Sequence, residues 1–393
     1  MKFSIVTSFY NEPIELIEAV YQSVLSQTYS NFEWVITDDF SQDEVTTNFV
    51  KTLPERDKRI RYVEQKSKKE VWWNPQTYAL GDVVIQVDGD DHIFSKMLEV
   101  YHHFYTKYPD VICMTTDIRN YKNGVYSGSI YINYENYKSH LDYVSSKNDN
   151  KVKHGTNTLF THGYNRSWRN INGLDFKGDL DNRLIIVDYL QLTKLEEMGK
   201  LLHIPRALYG YNTRDVSISR KLDDWNDKSL RTQEIDQSIV ERRKGKDVIG
   251  IKRIFEQIFL ESTAFFDCNI NFDTTPKNVL FVTPEELKPI KQEQLKELYF
   301  DHNIYFNDYR KDIDYCIAFF DSPQQAKDFV SVYHNIYKYI GKIDVIIQIS
   351  YKDIDVSPEQ NNLFDVFKSF MEERHFISWF DFDNHYVTMK VHS

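Results

Sequence analysis

One stretch of the sequence decides the fold: Val83-Val84-Ile85-Gln86-Val87-Asp88-Gly89-Asp90-Asp91. It opens with a short, mostly apolar run, which is typical of a strand buried on both faces of a parallel sheet. The three carboxylates that follow repel one another and raise each other's pKa values unless a cation lies among them. The stretch therefore predicts a buried strand that ends either in a divalent-cation site or in a solvated acidic turn that caps the next helix.

Strand and helix patterns alternate on both sides of this stretch. A helical pattern begins at Pro13, a second covers Met97–Tyr108, and short apolar strand patterns occupy residues 3–6, 32–36, 61–63 and 111–114. This alternation is typical of a mostly parallel sheet with helices on both faces. In such sheets the ligand crevice lies outside the carboxyl ends of the strands, so we expect the polar residues after the first, second and fourth strands to share one edge.

A second alternation of strands and helices begins near residue 278, after a strongly charged stretch without an apolar strand pattern. Its strand patterns lie at residues 278–282, 315–319 and 345–348, followed by a strand pair within 376–391. We therefore predict a first α/β domain over residues 1–220, a charged helical connector over 221–250, and a smaller α/β domain over 251–393.

Composition and charge limit the classes of partner. The chain has 48 Lys and Arg residues against 59 Asp and Glu residues, which gives a net charge of −11. Such a protein repels nucleic acid and anionic membrane, so an anionic ligand must be held by a local cation or a metal. Cys113, Cys268 and Cys316 are far apart and lie in or beside apolar runs, as reduced core cysteines do. No apolar run approaches a membrane span and no apolar leader follows Met1, so we expect a cytoplasmic protein.

Two further strand ends carry residues of the kind that bind nucleotides. Asp38 and Asp39 follow the second strand, where an Asp can accept a hydrogen bond from a base N–H or can belong to an ordinary turn. Tyr10 follows the first strand, where its ring can pack on a nucleobase or join the core. Together with the acidic run, these residues place ligand-binding side chains at three strand ends.

The order of these segments resembles the inverting family-two glycosyltransferases of the GT-A fold. The segments that carry the resemblance are Ile5–Asn11, Ser23–Glu33, Ile36–Ser41, Gly81–Asp91, Asn172–Asp175, Val187–Asp188 and Gly199–Ser219. The resemblance covers about residues 2–220 and implies a Rossmann-like, mostly parallel mixed sheet. It also implies transfer of a sugar from a nucleotide-sugar donor, usually a UDP sugar, to the hydroxyl of a glycan, lipid-linked or protein-linked acceptor.

The resemblance assigns the donor site residue by residue. Tyr10 is expected to pack on the nucleobase and Asp39 to bind it, while Asp88 belongs to the shell around the ribose and the metal. Arg214 is expected to meet the diphosphate as a bidentate donor. Many family members carry an Arg and a His near this point, where this chain has Asn212 and Arg214, so a His metal ligand is missing there.

The metal site and the catalytic base follow from the same resemblance. Asp90 and Asp91 are the expected ligands of Mn²⁺ or Mg²⁺, which would compensate charge on the departing diphosphate. Asp188 is the expected general base that takes the proton from the acceptor hydroxyl. An ordinary helix N-cap is the alternative interpretation of Asp188.

Several alternatives stay open at this point. The segment Lys68–Gln76 departs from the family pattern, and Trp72, Trp73 and Trp168 are either platforms for sugar rings or core residues. A catalytically degenerate scaffold or binding protein is one alternative function. A nucleotidyltransferase is another, although it would want a Gly- and Arg-rich loop after the first strand. Residues 251–393 carry no motif that indicates chemistry, and we interpret them as an acceptor-binding domain or as one that forms homo-oligomers.

Overall fold

The computed structural model divides the chain into two compact units, Met1–Ile254 and Phe255–Ser393. Each unit contains one described β-sheet with its own strand order. The predicted connector, residues 221–250, lies outside the described residues except for Glu241. The structure describes residues 1–64, 77–130, 167–171, 191, 194–195, 197–214, 241, 276–282, 289–308, 310–320, 325, 345–350, 377–381 and 386–391.

The sheet of the first unit is mostly parallel. Its described strands are β1 Phe3–Phe9, β2 Phe32–Asp38, β3 Ile60–Tyr62, β4 Val83–Gln86, β5 His92–Ile93, β6 Val111–Lys122, β7 Val125–Ile130, β8 Ser167–Arg169 and β9 Lys200–Thr213. They lie in the order β3-β2-β1-β4-β8-β6-β9-β5, with β7 paired to β6. Strands β1, β2, β3, β4, β6 and β9 run in one direction, and β5, β7 and β8 run in the other. This confirms the predicted mixed α/β architecture.

Three described helices belong to the first unit: α1 Ile14–Leu25, α2 Glu44–Arg56 and α3 Met97–Lys107. Helix α1 buries Ile17, Val20 and Val24, which lie on one face at helical spacing. Helix α2 begins after Asp43, whose side chain accepts the Val45 N–H at 3.0 Å. The apolar faces of these helices and the buried strands form a core that fixes where each strand ends.

Strands β6 and β9 are much longer than the apolar runs at residues 111–114 and 201–204. Both strands contain polar side chains that are buried. His203 Nε2 lies 2.9 Å from Asp117 Oδ1, and His203 Nδ1 lies 2.9 Å from Thr115 Oγ1. Because these buried groups hydrogen-bond to one another, they are tolerated inside the sheet. Hydropathy alone therefore ends both strands too early.

A hairpin turn at Asn123-Gly124 connects β6 to β7. Both turn residues have positive φ, 50° for Asn123 and 79° for Gly124, as a two-residue hairpin turn of this type requires. The Asn123 N–H donates to Thr213 O at 3.1 Å, and the Gly124 N–H donates to Asn212 Oδ1 at 3.1 Å. The hairpin turn is therefore attached to the carboxyl end of β9.

The second unit is a smaller α/β sheet, as predicted. Its described elements are β10 Asn278–Val282, α4 Pro289–Leu298, β11 Asn303–Phe306, β12 Tyr315–Phe320, β13 Val345–Ser350, β14 Ile377–Asp381 and β15 Tyr386–Val391. The strand order is β11-β10-β12-β13-β15-β14. The first four strands in this order are parallel, and β15 is antiparallel to both of its neighbours. Strand β11 is short and only half-buried, so hydropathy does not indicate it.

Candidate active site

The carboxyl ends of β1, β2, β4 and β9 meet at one edge of the first sheet, because these strands run in the same direction. Tyr10 follows β1 and Asp39 follows β2, and the Asp39 N–H donates to Phe9 O at 2.7 Å. Residues 88–91 follow β4, and Arg214 follows β9. The structure thus brings the predicted donor and metal residues that it describes to the same edge.

Residues 88–91, called the acidic loop below, pack closely against the end of β1. A Cβ added to Gly89 would lie 2.9 Å from Phe9 Cδ1 and 3.0 Å from Ser8 O. Phe9 is fully buried and Ser8 O belongs to the backbone, so an added Cβ would require the end of β1 to shift. The position therefore favours glycine, and glycine lets the loop lie directly on the strand end.

Asp91 anchors the acidic loop to β9. It is only 1% exposed; its Oδ2 accepts the Tyr209 hydroxyl at 2.7 Å, and its Oδ1 accepts the Asn212 N–H at 2.7 Å. Burial raises the pKa of Asp91 well above its ordinary value, and the charges of Asp88 and Asp90 act in the same direction. Both carboxylate oxygens are thus engaged by β9, so Asp91 supports the loop from beneath.

Tyr209 holds the acidic loop at a second point. Its hydroxyl oxygen accepts the Asp88 N–H at 3.3 Å while the same hydroxyl donates to Asp91. Burial raises the pKa of Tyr209 well above its ordinary value, so the phenol keeps its proton and remains a donor. Gln86 Nε2 donates to Asp88 Oδ1 at 3.2 Å. Asp88 is therefore fixed through both its backbone and its side chain, with its carboxylate half-buried.

Asp90 and Arg214 form an ion pair at the surface of this edge. Arg214 Nε and Nη2 both lie 2.8 Å from Asp90 Oδ2. The side chains of Arg214 and Asp90 are 23% and 22% exposed, respectively. Charge-assisted hydrogen bonds of this length are stronger than those between neutral groups. The predicted metal ligand and the predicted diphosphate residue are thus in direct contact.

Glu12 is a further carboxylate of this edge, which the sequence patterns do not indicate. It is 6% exposed, and its side chain accepts the Tyr10 N–H. Arg214 Nη2 lies 3.7 Å from Glu12 Oε1. Burial raises the pKa of Glu12 to about 8, the charge of Asp90 acts in the same direction, and Arg214 opposes both. Its position two residues after Tyr10, at the strand end that contacts the acidic loop, is the one feature of the sequence that could have pointed to it.

Asn11 joins the loop after β1 to the loop after β2. Its φ of 53° lies in the left-handed region, which Asn adopts more readily than most residues. Its Oδ1 accepts the N–H groups of Gln42 at 2.7 Å and Asp43 at 3.2 Å, and its own N–H donates to Ser41 Oγ at 2.9 Å. These contacts hold the two loops that carry the predicted base-binding residues in a fixed relation.

The two aspartates after β2 have different surroundings. Asp38 is buried and accepts hydrogen bonds from the Ser41 N–H at 3.3 Å and the Thr47 hydroxyl at 3.2 Å. These contacts close the turn that leads into α2. Asp39 is half-buried at the edge. The turn interpretation therefore applies to Asp38, and Asp39 is the one that reaches the edge.

Some predicted site residues lie outside the described part of the chain, namely Asp188 and the segment Lys68–Gln76. Trp168 is described and is 1% exposed within the core cluster that includes Cys113, so it is a core residue rather than a sugar platform.

Within the described residues, no group of three His, Cys, Asp or Glu side chains is arranged to hold a metal ion. None of the described helices has the length and apolar character that a membrane crossing needs.

Curated relatives match about a quarter to a third of the chain. The chain is 28% identical over 141 residues to an uncharacterized glycosyltransferase of Rickettsia felis, 31% identical over 101 residues to the putative glycosyltransferase EpsE of Bacillus subtilis, and 32% identical over 127 residues to the glycosyltransferase GlyG of Streptococcus pneumoniae. These matches cover 33%, 25% and 30% of this chain, respectively. The chain spans only 23%, 36% and 39% of the lengths of these relatives.

Solved structures and a family model also resemble parts of this chain. S. aureus TarS 1-349 in complex with UDP-GlcNAc is 15% identical with a TM-score of 0.43, over 63% of this chain and 74% of that chain. The mannosyltransferase PcManGT from Pyrobaculum calidifontis in complex with GDP-Man and Mn²⁺ is 16% identical with a TM-score of 0.37, over 63% of this chain and 65% of that chain. The family model described as Glycosyl transferase family 2 matches residues 4–168, which run from the second residue of β1 past β7 and include the acidic loop. Residues 4–168 of this chain are therefore similar in sequence to glycosyl transferase family 2.

Proposed function

We propose that this chain is a metal-dependent glycosyltransferase that moves a sugar from a nucleotide sugar to an acceptor hydroxyl. The proposal rests on Asp90, whose carboxylate is partly exposed and pairs with Arg214. Arg214 also lies near Glu12, and Glu12 accepts the N–H of Tyr10 at the end of β1. The rest of the acidic loop is held by internal hydrogen bonds, so this carboxylate is presented by a pre-organised element. The match of residues 4–168 to the family-2 model supports the same class of reaction.

The donor base is proposed to lie against Tyr10 and to donate a hydrogen bond to Asp39. Both residues are half-buried at neighbouring strand ends, and Asn11 fixes the loops on which they lie. The aromatic ring offers a flat apolar surface to a base, and a carboxylate accepts a base N–H. Uracil offers such an N–H between two carbonyl groups. We therefore favour a UDP sugar as the donor.

The carboxylates at this edge suit Mn²⁺ or Mg²⁺. These ions take one or two protein carboxylates and fill the remaining positions with phosphate oxygens and water, so a site without three converging protein ligands is acceptable. Asp90 is the proposed direct ligand, with Asp88 beside it. Asp91 is better placed as the support of the loop, because both of its oxygens already accept hydrogen bonds from β9. When bound, a divalent cation compensates the charge that develops on the departing diphosphate.

Asp188 is proposed, from the family resemblance, as the general base. It would take the proton from the acceptor hydroxyl while that oxygen forms a bond to the anomeric carbon and the bond from this carbon to the diphosphate oxygen breaks. Attack from the face opposite the diphosphate would invert the configuration at the anomeric carbon. A general base typically contributes about 10²–10⁴-fold to the rate.

The test is release of nucleotide from a panel of UDP, GDP and CDP sugars, with and without Mn²⁺. Asp90→Asn is expected to weaken metal-dependent nucleotide binding and to lower the rate, whereas Asp188→Asn is expected to lower chiefly the rate, by about 10²–10⁴-fold. Asp110→Asn is the matched control. Asp110 also pairs with a cation, Lys200, at 2.9 Å, but it precedes β6 at the opposite edge of the sheet. This variant should behave as the wild type does.

Each outcome has a separate meaning. If no nucleotide binds more tightly with Mn²⁺ than without it, the metal-dependent reaction is wrong. If Asp188→Asn turns over at the wild-type rate, another residue is the base. A wild-type protein that binds nucleotide with metal but releases none from any sugar would support the binding-protein alternative instead.

A further inference from the structure

The guanidinium of Arg214 occupies one of the two carboxylate oxygens with which Asp90 would bind the proposed metal. Both Arg214 Nε and Nη2 lie 2.8 Å from one atom, Asp90 Oδ2. A divalent cation of the Mg²⁺ type binds a carboxylate oxygen at about 2 Å. A metal bound to this oxygen would therefore lie in contact with a group of like charge. The two cations cannot share Asp90 Oδ2 in the observed geometry.

A second carboxylate lies within reach of the same guanidinium. Arg214 Nη2 is 3.7 Å from Glu12 Oε1, and Glu12 is buried and held by the Tyr10 N–H. Because burial raises the pKa of Glu12 to about 8, its side chain is a weaker partner for the guanidinium than Asp90 is. A diphosphate at the edge would present oxygens in the paired geometry that a guanidinium binds best. Arg214 thus has one partner to leave, Asp90, and one that a nucleotide would supply.

We propose that Arg214 and the divalent metal compete for Asp90, and that the donor diphosphate ends the competition by taking the guanidinium. The inference rests on the proposed function and deepens the role of Arg214 within it. Arg214 weakens metal binding when nucleotide is absent, and its displaced guanidinium strengthens nucleotide binding when metal is present. Metal and nucleotide therefore each raise the affinity for the other, by the same factor in both directions.

This role differs from two simpler roles. If Arg214 were only a diphosphate ligand, its removal would leave the affinity for metal alone unchanged. If it were only a nearby positive charge, its removal would strengthen metal binding by the same factor with and without nucleotide. If the diphosphate instead draws Arg214 away from Asp90, removal of Arg214 strengthens metal binding in the absence of nucleotide but not in its presence.

The test is a binding cycle with Mn²⁺ and UDP as probes, measured by isothermal titration and by the EPR signal of free Mn²⁺. Arg214→Gln is expected to bind Mn²⁺ alone about threefold to tenfold more tightly than the wild type does, as loss of a partly exposed charge-assisted contact implies. The factor by which UDP strengthens Mn²⁺ binding is expected to fall at least about threefold. Arg214→Met should reproduce both results, and thermal melting checks that both variants fold.

Arg56→Gln is the matched control for loss of a guanidinium. Arg56 Nη1 also contacts a carboxylate, Glu18 Oε2, at 2.6 Å, and both side chains are partly exposed. This pair joins α1 and α2 and does not include a residue of the acidic loop. Its variant is expected to keep the wild-type affinities for Mn²⁺ and UDP and the wild-type coupling between them.

The possible results separate the inference from the proposed function. Unchanged or weaker binding of Mn²⁺ alone by both Arg214 variants would overturn the competition. Tighter binding with an unchanged coupling factor would make Arg214 a plain charge and would also overturn it. If the wild type binds Mn²⁺ neither alone nor with UDP, the proposed function fails, and this inference fails with it.

Discussion

Replacing Tyr209 by Phe tests how the acidic loop is held, because it removes one hydroxyl group and little volume. That hydroxyl donates to Asp91 Oδ2 at 2.7 Å and accepts the Asp88 N–H at 3.3 Å. Tyr209 is fully buried and Asp91 is 1% exposed, so water has no access to replace the lost donor. The substitution therefore leaves a buried carboxyl oxygen with one hydrogen bond fewer.

The expected loss of folding free energy is about 2 kcal/mol. A buried acceptor left unsatisfied costs roughly 1–3 kcal/mol, and this cost already includes the loss of its hydrogen bond. The longer contact from the Asp88 N–H adds little. Residues that orient a metal ligand typically change metal affinity by about 10–100-fold when they are replaced. We expect Tyr209→Phe to lower the affinity for Mn²⁺ by about tenfold, near the lower end of this range, because the Asn212 N–H still holds Asp91.

Urea unfolding and a Mn²⁺–UDP titration are the measurements. Tyr105→Phe is the matched control, since Tyr105 is buried in the same unit and its hydroxyl lies 3.0 Å from a neutral partner, Ser167 Oγ. The control is expected to lose about 1 kcal/mol and to keep wild-type ligand affinity. The reasoning is refuted if Tyr209→Phe loses no more stability than the control or binds Mn²⁺ and UDP as the wild type does.

Two more predictions concern the residues around the acidic loop. Gly89→Ala is expected to destabilise the first unit by about 1–3 kcal/mol and to reduce Mn²⁺-dependent nucleotide release, because the added Cβ would lie 3.0 Å from Ser8 O. Thermal melting and a release assay check this, and wild-type values in both would contradict it. Glu12→Gln is expected to gain stability relative to the wild type as the pH rises. The pKa of Glu12 is raised from 4.5 to about 8, so its stabilising contribution is complete below pH 4.5 and is lost as the pH rises through 8, whereas Gln does not titrate. Melting temperatures of both proteins between about pH 6 and pH 9 test this, and parallel curves would show that Glu12 has an ordinary pKa.

Hydropathy locates the strands of the first sheet that are apolar on both faces, β4 among them. It also locates the acidic loop, because adjacent charges cannot continue a buried strand. It fails in β6 and β9, where His203 and Asp117 are buried as hydrogen-bonded partners. Their sequence positions are far apart, and nothing in either residue's neighbourhood indicates the pairing. The lengths of these two strands therefore depend on tertiary contacts that the sequence alone does not reveal.

The roles of the individual carboxylates also depend on tertiary contacts. Asp90 and Asp91 are adjacent and identical in type, yet Asp91 is bound internally by β9 and Asp90 pairs with Arg214 at the surface. Glu12 has no pattern around it that predicts its burial. Asn212 departs from the residue that many family members carry, but it supports Asp91 through its backbone N–H. Any residue except proline supplies that donor, so the departure does not remove this support.

The acidic loop depends on residues that come much later in the chain. Residues 4–168 contain the whole loop, yet Tyr209, Asn212 and Arg214 lie on or directly after β9. A fragment that stopped where the family match stops would keep the anionic groups and lose the donors that hold them. The shortest fragment suitable for expression and ligand studies therefore extends at least through Arg214. Truncation limits are better chosen from hydrogen-bond partners than from the boundary of a sequence match.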